Sequence, residues 1–289
     1  MTTELKAGEF KAGQFRAAGL IGWPVFQSRS PKLHGYWLEK YAIPGAYVPM
    51  PVAPGRLEDA LRGLVALGFA GCNVTLPHKE AAAKLVDRVD PAGRRMGAIN
   101  LIVVEPDGSL SGYNKDGYGF IENLRDGKPG WRGDAGPAVV LGAGGGARSV
   151  VVSLLDEGAP EIRLLNRTRA RAEQLAAEFG GPVTVLDWER RHAALAGAAL
   201  LVNTTNQGMV GQPPLDLALD ALPTAALVCD IVYNPLETPL LAAARGRGNA
   251  VVNGLGMLLH QARPAFQAWF GVLPEITPEL RAAIEATIK

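Results

Sequence analysis

Short apolar runs alternate with segments of helical periodicity through the first part of the chain. The apolar runs indicate three strands, AGLIGWPV, AYVPMPV and AGCNVTL. The periodic segments indicate a helix after each strand: SPKLHGYWLEKYAI, RLEDALRGLVALG and PHKEAAAKLVDRV. Ser30 is expected to cap the first helix with Pro31 in its first position, and Pro77 to open the third. AINLIVVEPDGSLSGYN then predicts a hairpin that turns at Asp107 and Gly108.

The later part of the chain changes to longer apolar strands that alternate regularly with helices. The pattern begins with PAVVLGAGGGARSVVVSLLDEGA and continues through EIRLLN, RARAEQLAAEFG, ALLVNTT, ALVCDIVY, AVVNGLG and MLLHQARPAFQAWFG. Such strands are typical of a parallel sheet covered on both faces. We therefore predict an α/β protein of two domains, 1–116 completed by 254–289, and 117–253. Two crossings between domains predict a cleft there, a usual place for a ligand.

Composition and charge exclude several functional classes. The 289 residues carry a formal net charge of +1, with scattered basic residues, so neither nucleic acid nor a membrane is an expected partner. No apolar run is long enough to cross a bilayer, and the first residues are expected to form a loose extension without the features of a secretion signal. The distant cysteines, Cys72 and Cys229, predict buried free thiols, and the four histidines show no metal-ligand spacing. These features predict a cytoplasmic protein without a metal.

A glycine-rich loop between a predicted strand and a predicted helix indicates a dinucleotide site. Gly142, Gly144 and Ala147 follow the G-x-G-x-x-A pattern, in which the backbone approaches a pyrophosphate at the helix N-terminus. An NAD site usually has an acid after the next strand, but this strand is followed by NRTRAR. Arginines there can pair with a 2′-phosphate, so the pattern favours NADP. The alternatives are a tight strand–helix turn and a solvated basic helix start.

Lys79 and Asp116 are the candidate acid/base residues. Lys79 lies in the first turn of a predicted helix, where the dipole disfavours a cation and so favours proton transfer from the amine. A lysine oriented by a carboxylate can protonate a developing alkoxide and can take the proton back in the reverse reaction. From residue types alone, the alternatives are a surface lysine and a turn aspartate.

Nine segments, in their order and spacing, resemble the shikimate dehydrogenase family. The match runs from about Gly19 over nearly the whole chain and rests on GWPVFQSRSPKLH, GCNVTLPHKEAA, GAIN, GYNKDGYG, GAGGGARS, NRTRARA, NTTNQGM, DIVYNPLETPLL and NGLGMLLHQARPAF. The resemblance implies reversible, NADP-dependent reduction of 3-dehydroshikimate to shikimate, a step of aromatic amino-acid biosynthesis. It also implies a substrate domain and a Rossmann-like NADP domain.

The same resemblance implies roles for individual residues. Lys79 and Asp116 would be the catalytic pair. Substrate oxygens would be bound by Ser28, Ser30, Thr75, Asn100, Tyr233 and Gln261. The cofactor would be held by Gly142, Ala143, Gly144, Gly145, Gly146, Ala147, Asn166, Arg167, Thr168, Arg171, Thr204, Ile231, Gly254 and Met257. For Met257, as for Met209, core packing is the alternative, and Ser30 alone would be a helix cap.

Three positions depart from the family pattern, and all fall in segments expected to line the substrate cleft. Gln27 stands where histidine is usual, Leu101 replaces the threonine of Asn-Thr, and Lys115 replaces the threonine of Asn-Thr-Asp. Lys115 would either lean away from Asp116, pair with it, or reach the substrate. The clustering predicts retained cofactor use with altered substrate preference or reduced activity on shikimate.

Three functional hypotheses follow. The first is an NADP-dependent shikimate dehydrogenase, or a relative that acts on quinate, an aminoshikimate-like compound or another cyclic ketone. The second is a non-catalytic homologue that senses such ligands or NADP, although retention of both Lys79 and Asp116 argues against it. The third is an unrelated dehydrogenase with the same fold. A monomer or a homodimer is expected.

Overall fold

The computed structural model describes residues 14–288, and these group into two compact units. The first unit comprises the described residues up to Lys115 together with Gln261–Thr287, and the second comprises Asp116–His260. The loose extension was predicted for residues 1–19, most of which lie outside the described residues. The prediction was wrong for its last residues, because β1 already begins at Arg16.

The first unit is built on a six-stranded mixed sheet in the order β2-β1-β3-β5-β6-β4. β1 is parallel to β2 and β3, β5 runs antiparallel to β3 and β6, and β4 is parallel to β6. Its elements are β1 (Arg16–Gly22), α1 (Ser30–Lys40), β2 (Gly45–Pro51), α2 (Leu57–Ala66), β3 (Gly71–Val74), α3 (Lys79–Leu85), β4 (Arg88–Val89), α4 (Pro91–Met96), β5 (Leu101–Val104), β6 (Leu110–Tyr113) and α10 (Pro278–Glu285).

The second unit is a doubly wound α/β domain with six parallel strands in the order β12-β11-β10-β7-β8-β9. Its elements are α5 (Asp116–Gly127), β7 (Ala138–Leu141), α6 (Gly145–Asp156), β8 (Ile162–Leu165), α7 (Arg169–Phe179), β9 (Val183–Leu186), β10 (Leu200–Asn203), β11 (Leu227–Asp230), α8 (Pro239–Gly246) and β12 (Ala250–Val252). α9 (Leu255–Phe270) starts in this unit and ends in the first. Apolar clusters cover both faces of the sheet. The strand order reverses between β7 and β10, which is where such sheets bind their ligands.

The hairpin and the parallel sheet confirm the reading of the apolar pattern. β5 and β6 pair antiparallel, and Gly108 takes the positive φ of +81° that the tight turn requires. Every pairing in the second sheet is parallel. Cys72 and Cys229 are buried free thiols, and burial raises the pKa of both.

Two predicted helix starts were wrong. Ser30 is the first residue of α1 and not its cap; Arg29 precedes it, and Ser28 Oγ instead accepts a hydrogen bond from the Ser30 N–H at 3.2 Å. α3 begins at Lys79, two residues after Pro77, because the chain turns there, with the His78 N–H bonded to the carbonyl of Thr75 at 3.0 Å. Lys79 is nevertheless in the first turn, as predicted.

Two features are absent from the described residues. Among residues 14–288, no helix combines the length and the apolar character that crossing a bilayer requires. In the same part of the chain, histidine, cysteine and carboxylate side chains form no group of three or more placed to hold a metal ion.

Candidate active site

In the first unit, the predicted substrate residues gather where β1 and β3 end and β5 begins. Thr75 directly follows β3, and its N–H donates to the carbonyl of Ile21 at 2.9 Å. Asn100 directly precedes β5, and its carbonyl accepts from the N–H of Val74 at 3.0 Å. Lys79, half-buried at the start of α3, accepts through its carbonyl from the N–H of Ile99 at 3.1 Å. One edge of the sheet therefore carries a hydroxyl, an amine and an amide.

A chain of buried polar side chains lies beside Ser28 and Ser30. The two serine hydroxyls are 3.2 Å apart, and Tyr47 on β2 also hydrogen-bonds Ser30. The Tyr47 hydroxyl donates to Asn73 Oδ1 at 2.7 Å, and Asn73 Nδ2 donates to the carbonyl of Asn100 at 2.9 Å. Burial raises the pKa of Tyr47 well above its usual value, so the hydroxyl stays a neutral donor.

Sequence reasoning missed both Tyr47 and Asn73. The available signal was Asn73 itself, an amide inside the apolar run AGCNVTL, since a buried polar group must find a partner.

The amide of Asn100 is held from both ends. Its Oδ1 accepts from the backbone N–H of Lys115 at 2.9 Å, and its Nδ2 donates to Gln261 Oε1 at 3.2 Å. Gln261 comes from α9, so the packing of this helix in the first unit brings the predicted pair Asn100 and Gln261 together. The NH₂ group of Asn100 is thereby directed to the side where Gln261 lies.

The three departures from the family pattern have different surroundings. Gln27 is exposed, and its Nε2 donates to the carbonyl of Pro24 at 3.2 Å. Leu101 is 0% exposed on β5, so any effect on a substrate would pass through packing. Lys115 places its Nζ 3.8 Å from Asp90 Oδ2, which answers where this lysine points.

In the second unit, the glycine loop occupies the turn from β7 into α6. Gly142 has a φ of +109°, and a Cβ there would lie 2.5 Å from Thr204 Oγ1. Gly144 and Gly145 have open space around the position of a Cβ, and Gly144 precedes α6 without a side-chain cap. The first backbone N–H groups of α6 are thus approachable by an anion.

The remaining part of this loop packs inward. A Cβ on Gly146 would lie 2.6 Å from Ile231 Cδ1, and Ala147 is buried in the core under α6. Ala143 packs against the same core.

After β8 the chain presents basic side chains and no acid. Asn166 Nδ2 donates to the carbonyl of Thr168 at 2.8 Å, which closes the turn into α7. Arg169 is neutralised by two carboxylates, Glu173 at 2.7 Å and Asp187 at 2.6 Å. In contrast, Arg167 and Arg171 are exposed, and within residues 14–288 no ion pair holds either guanidinium. These two arginines are free to meet a phosphate.

The ends of β10 and β11 are fixed by a buried carboxylate that the sequence did not suggest. Asp230 accepts from Asn203 Nδ2 at 3.0 Å, from the N–H of Val232 at 3.0 Å and from Thr238 Oγ1 at 2.8 Å. Burial raises the pKa of Asp230, while these donors oppose the rise. Asp230 therefore shapes the loop that carries Ile231 and Tyr233.

The other predicted residues of the second unit lie on the same loops or at the starts of helices. Thr204 Oγ1 donates to the carbonyl of Leu141 at 2.7 Å, and a Cβ on Gly254 would lie 2.0 Å from the Ile231 carbonyl oxygen. Met257 packs against the apolar core, whereas Met209 is 39% exposed. Asp116 is the first residue of α5.

Comparisons with known proteins agree on one family. Residues 20–102 match the family model described as Shikimate dehydrogenase substrate binding domain, and residues 134–210 match that described as Shikimate / quinate 5-dehydrogenase. The chain is 60% identical over 273 residues to the shikimate dehydrogenase (NADP(+)) of Paramagnetospirillum magneticum, covering 94% of this chain and 99% of the relative.

Solved structures are similar to this chain over nearly its whole length. Shikimate 5-dehydrogenase from Thermus thermophilus, in complex with NADP(H) and shikimate, is 35% identical with a TM-score of 0.82, covering 94% of this chain and 98% of that one. Quinate dehydrogenase from Corynebacterium glutamicum, in complex with NAD, is 28% identical with a TM-score of 0.88, covering 94% and 100%.

Proposed function

The chain belongs to the shikimate dehydrogenase family, and from this premise we propose that Lys79 and Asp116 perform its acid/base chemistry. It is an NADP-dependent oxidoreductase that interconverts 3-dehydroshikimate and shikimate. The observation that carries the proposal is the gathering of Thr75, Lys79 and Asn100 at one sheet edge of a chain so similar to shikimate dehydrogenases.

The reaction requires one hydride and one proton in each direction. NADPH, when bound, supplies the hydride for carbonyl reduction. The Lys79 ammonium donates the proton to the developing alkoxide, and Asp116 orients the amine and stabilises its charged form. In the oxidation direction, the neutral Lys79 amine takes the proton from the substrate hydroxyl. Lys79 is half-buried in the first turn of α3.

Substrate binding is assigned to the polar side chains of the first unit, together with Tyr233. The hydroxyls of Ser28 and Ser30 hydrogen-bond the substrate carboxylate, and the remaining groups bind ring oxygens: Thr75, Asn100, Tyr233 and Gln261. The orientation of Asn100 supports this assignment, because the Lys115 N–H donates to its Oδ1 and its Nδ2 faces Gln261 Oε1, another group assigned to the substrate.

The second unit fits NADP. The open backbone at Gly144 and Gly145 suits a pyrophosphate at the start of α6. Arg167 and Arg171 suit the 2′-phosphate, since neither is engaged by a carboxylate in the part of the chain that the structure describes. Asn166 and Thr168 shape the turn that presents Arg167, while Thr204, Ile231, Gly254 and Met257 are assigned to the ribose and the nicotinamide.

Lys79→Ala tests the acid/base assignment. We expect turnover of shikimate to fall by about a thousandfold or more, in line with loss of general acid–base catalysis, while shikimate and NADPH still bind. The matched control is Lys84→Ala on the exposed part of the same helix, which should keep wild-type rates. Initial rates and fluorescence titration of NADPH give the two readouts. Substantial turnover by Lys79→Ala would overturn the assignment.

The alternatives raised by the departures are outcomes of substrate tests. Gln27 adjoins Ser28, so a quinate or aminoshikimate-like substrate would be discriminated there. The cytoplasmic location, the monomeric or homodimeric state, and the substrate- and NADP-binding labels of the two predicted domains stay predictions.

A further inference from the structure

Lys115 is a charged residue in a nearly closed environment on the link between β6 and α5. Its side chain is 16% exposed, and its Nζ lies 3.8 Å from Oδ2 of Asp90, whose side chain is 7% exposed. The Nζ also lies 5.3 Å from the centre of the Tyr113 ring. Burial lowers the pKa of Lys115, and Asp90 opposes that shift. At this depth each charge requires the other, because an unpaired buried charge is strongly unfavourable.

Asp90 uses its second oxygen to hold the backbone on both sides of it. Asp90 is the N-cap of α4, where its Oδ1 accepts from the N–H of Gly93 at 2.7 Å. The same oxygen accepts from the N–H of Asn114 at 3.2 Å. Asn114 is further fixed by its own Nδ2, which donates to the carbonyl of Ala98 at 2.9 Å. One carboxylate thus joins the start of α4 to residues 114 and 115.

The backbone of Lys115 carries this constraint to Asn100. The Lys115 N–H donates to Asn100 Oδ1 at 2.9 Å, and Asn100 Nδ2 donates to Gln261 Oε1 at 3.2 Å. Since one end of the Asn100 amide is occupied, the other end is set as a donor. The next residue along the chain is Asp116, where α5 begins. A continuous chain of contacts therefore links Asp90 through Lys115 to Asn100. Its central residue, Lys115, directly precedes Asp116 in the sequence.

Resting on the function proposed above, we propose that Lys115, paired with Asp90, is a positioning residue for the reaction. The pair holds the link that orients the donor end of Asn100 and presents the Asp116 carboxylate. Lys115 itself does not take part in proton transfer. A displacement of about 1 Å at such a link is enough to lower a rate about a hundredfold.

This role predicts that the usual family residue is not equivalent in this chain. Threonine at position 115 would remove the cation that lies 3.8 Å from the buried Asp90 carboxylate. Lys115→Thr should therefore lower activity, although it restores the family pattern. Reduced activity caused by Lys115 itself, as the sequence alone suggested, predicts the opposite result.

The test compares Lys115→Met, Asp90→Asn and the double variant. Asparagine keeps the oxygen that caps α4, so Asp90→Asn removes the charge alone. We expect each single variant to lose about tenfold or more in kcat with shikimate. The KM for NADP⁺ should stay within about twofold, because the contacts of the pair lie in the first unit. The double variant should recover most of the loss in Tm and part of the loss in kcat, since neither charge is then unpaired.

Two further variants separate positioning from general stability. Lys115→Arg keeps the positive charge and should retain more kcat than Lys115→Met. Arg88→Met removes an exposed ion pair with Asp107 in the same sheet, 3.5 Å long, and should leave kcat unchanged. If Lys115→Met does not fold, Asp90→Asn carries the comparison.

The outcomes are distinct. Single variants with a lowered Tm but wild-type kcat would make the pair merely structural and overturn the proposal, as would improved activity of Lys115→Thr. Absence of shikimate turnover by the wild-type enzyme would instead contradict the proposed function. An active wild type whose single variants lose kcat and whose double variant regains part of it would support both.

Discussion

His34 predicts a loss of stability in mild acid that can be assigned to one side chain. The imidazole is 0% exposed on α1 and stacks on Tyr47 with ring centres 4.0 Å apart. Trp37 and Trp269 enclose it at 5.7 and 5.6 Å. Among the described residues, neither ring nitrogen has a hydrogen-bond partner. Burial lowers the pKa of His34 from 6.5 to about 3, so the folded protein holds it neutral.

The direction and size of the effect follow from proton linkage. Below pH 6.5 the unfolded chain binds a proton at His34 that the folded chain does not bind until about pH 3. Stability therefore falls as the pH drops from 6.5 towards 3, and this contribution is absent above 6.5. Between pH 7 and pH 5 the free energy of unfolding falls by about 2 kcal/mol, because pH 5 lies about 1.5 units below the pKa of His34 in the unfolded chain.

His34→Phe isolates this contribution, since phenylalanine keeps an aromatic ring and cannot take a proton. We would measure urea unfolding by tryptophan fluorescence at pH 8, 7 and 5, as Trp37 and Trp269 report on the same cluster. The free energy of unfolding should fall between pH 7 and pH 5 by about 2 kcal/mol more in the wild type than in the variant. From pH 8 to pH 7 the two should change alike. Equal losses in both proteins down to pH 5 would show that His34 does not cause the acid destabilisation.

The other predictions concern residues of the proposed cofactor site. Arg167→Ala should raise the KM for NADP⁺ by about 10- to 100-fold, the loss of one charge-assisted hydrogen bond, and leave the KM for NAD⁺ unchanged. Arg169→Ala is its control, because two carboxylates already neutralise Arg169; an equal effect of both changes on NADP⁺ would contradict the assignment. Gly142→Ala should lower stability by about 1–3 kcal/mol, since its φ is +109° and a Cβ would meet Thr204 Oγ1. Gly144→Ala should keep the Tm, because its Cβ enters open space, but should weaken NADPH binding in a titration. Stable Gly142→Ala protein with normal Tm would contradict the steric argument.

The sequence predicted the parts of the fold that local pattern controls. The elements from β7 to α7 were predicted correctly, because the apolar strands, the glycine loop at Gly142 and the helical spacing all indicate the same fold. The hairpin at Gly108 carried its turn residues in the sequence. β4 was read as the end of a helix, and α4, α5, α8, β9 and α10 were missed; all but α5 are short and gain their stability from packing.

The missed site features depend on contacts between distant parts of the chain. Asp90 followed by Pro91 is a recognisable signal for the start of a helix, but the ion pair of Asp90 with Lys115 joins residues that are 25 positions apart. Likewise, Asp230 and Tyr47 became visible only when neighbouring strands placed their partners. The residues proposed to carry the chemistry were identified from family motifs, whereas those proposed to position them became apparent only in the structure.

The proposed function is tested most directly by the initial rate of NADP⁺ reduction by the wild-type protein with shikimate at mildly alkaline pH. Quinate in place of shikimate and NAD⁺ in place of NADP⁺ are the comparisons. We expect rapid turnover of shikimate that is selective for NADP⁺, with quinate and NAD⁺ used poorly. Tight NADPH binding without shikimate turnover, or a preference for quinate or NAD⁺, would contradict it.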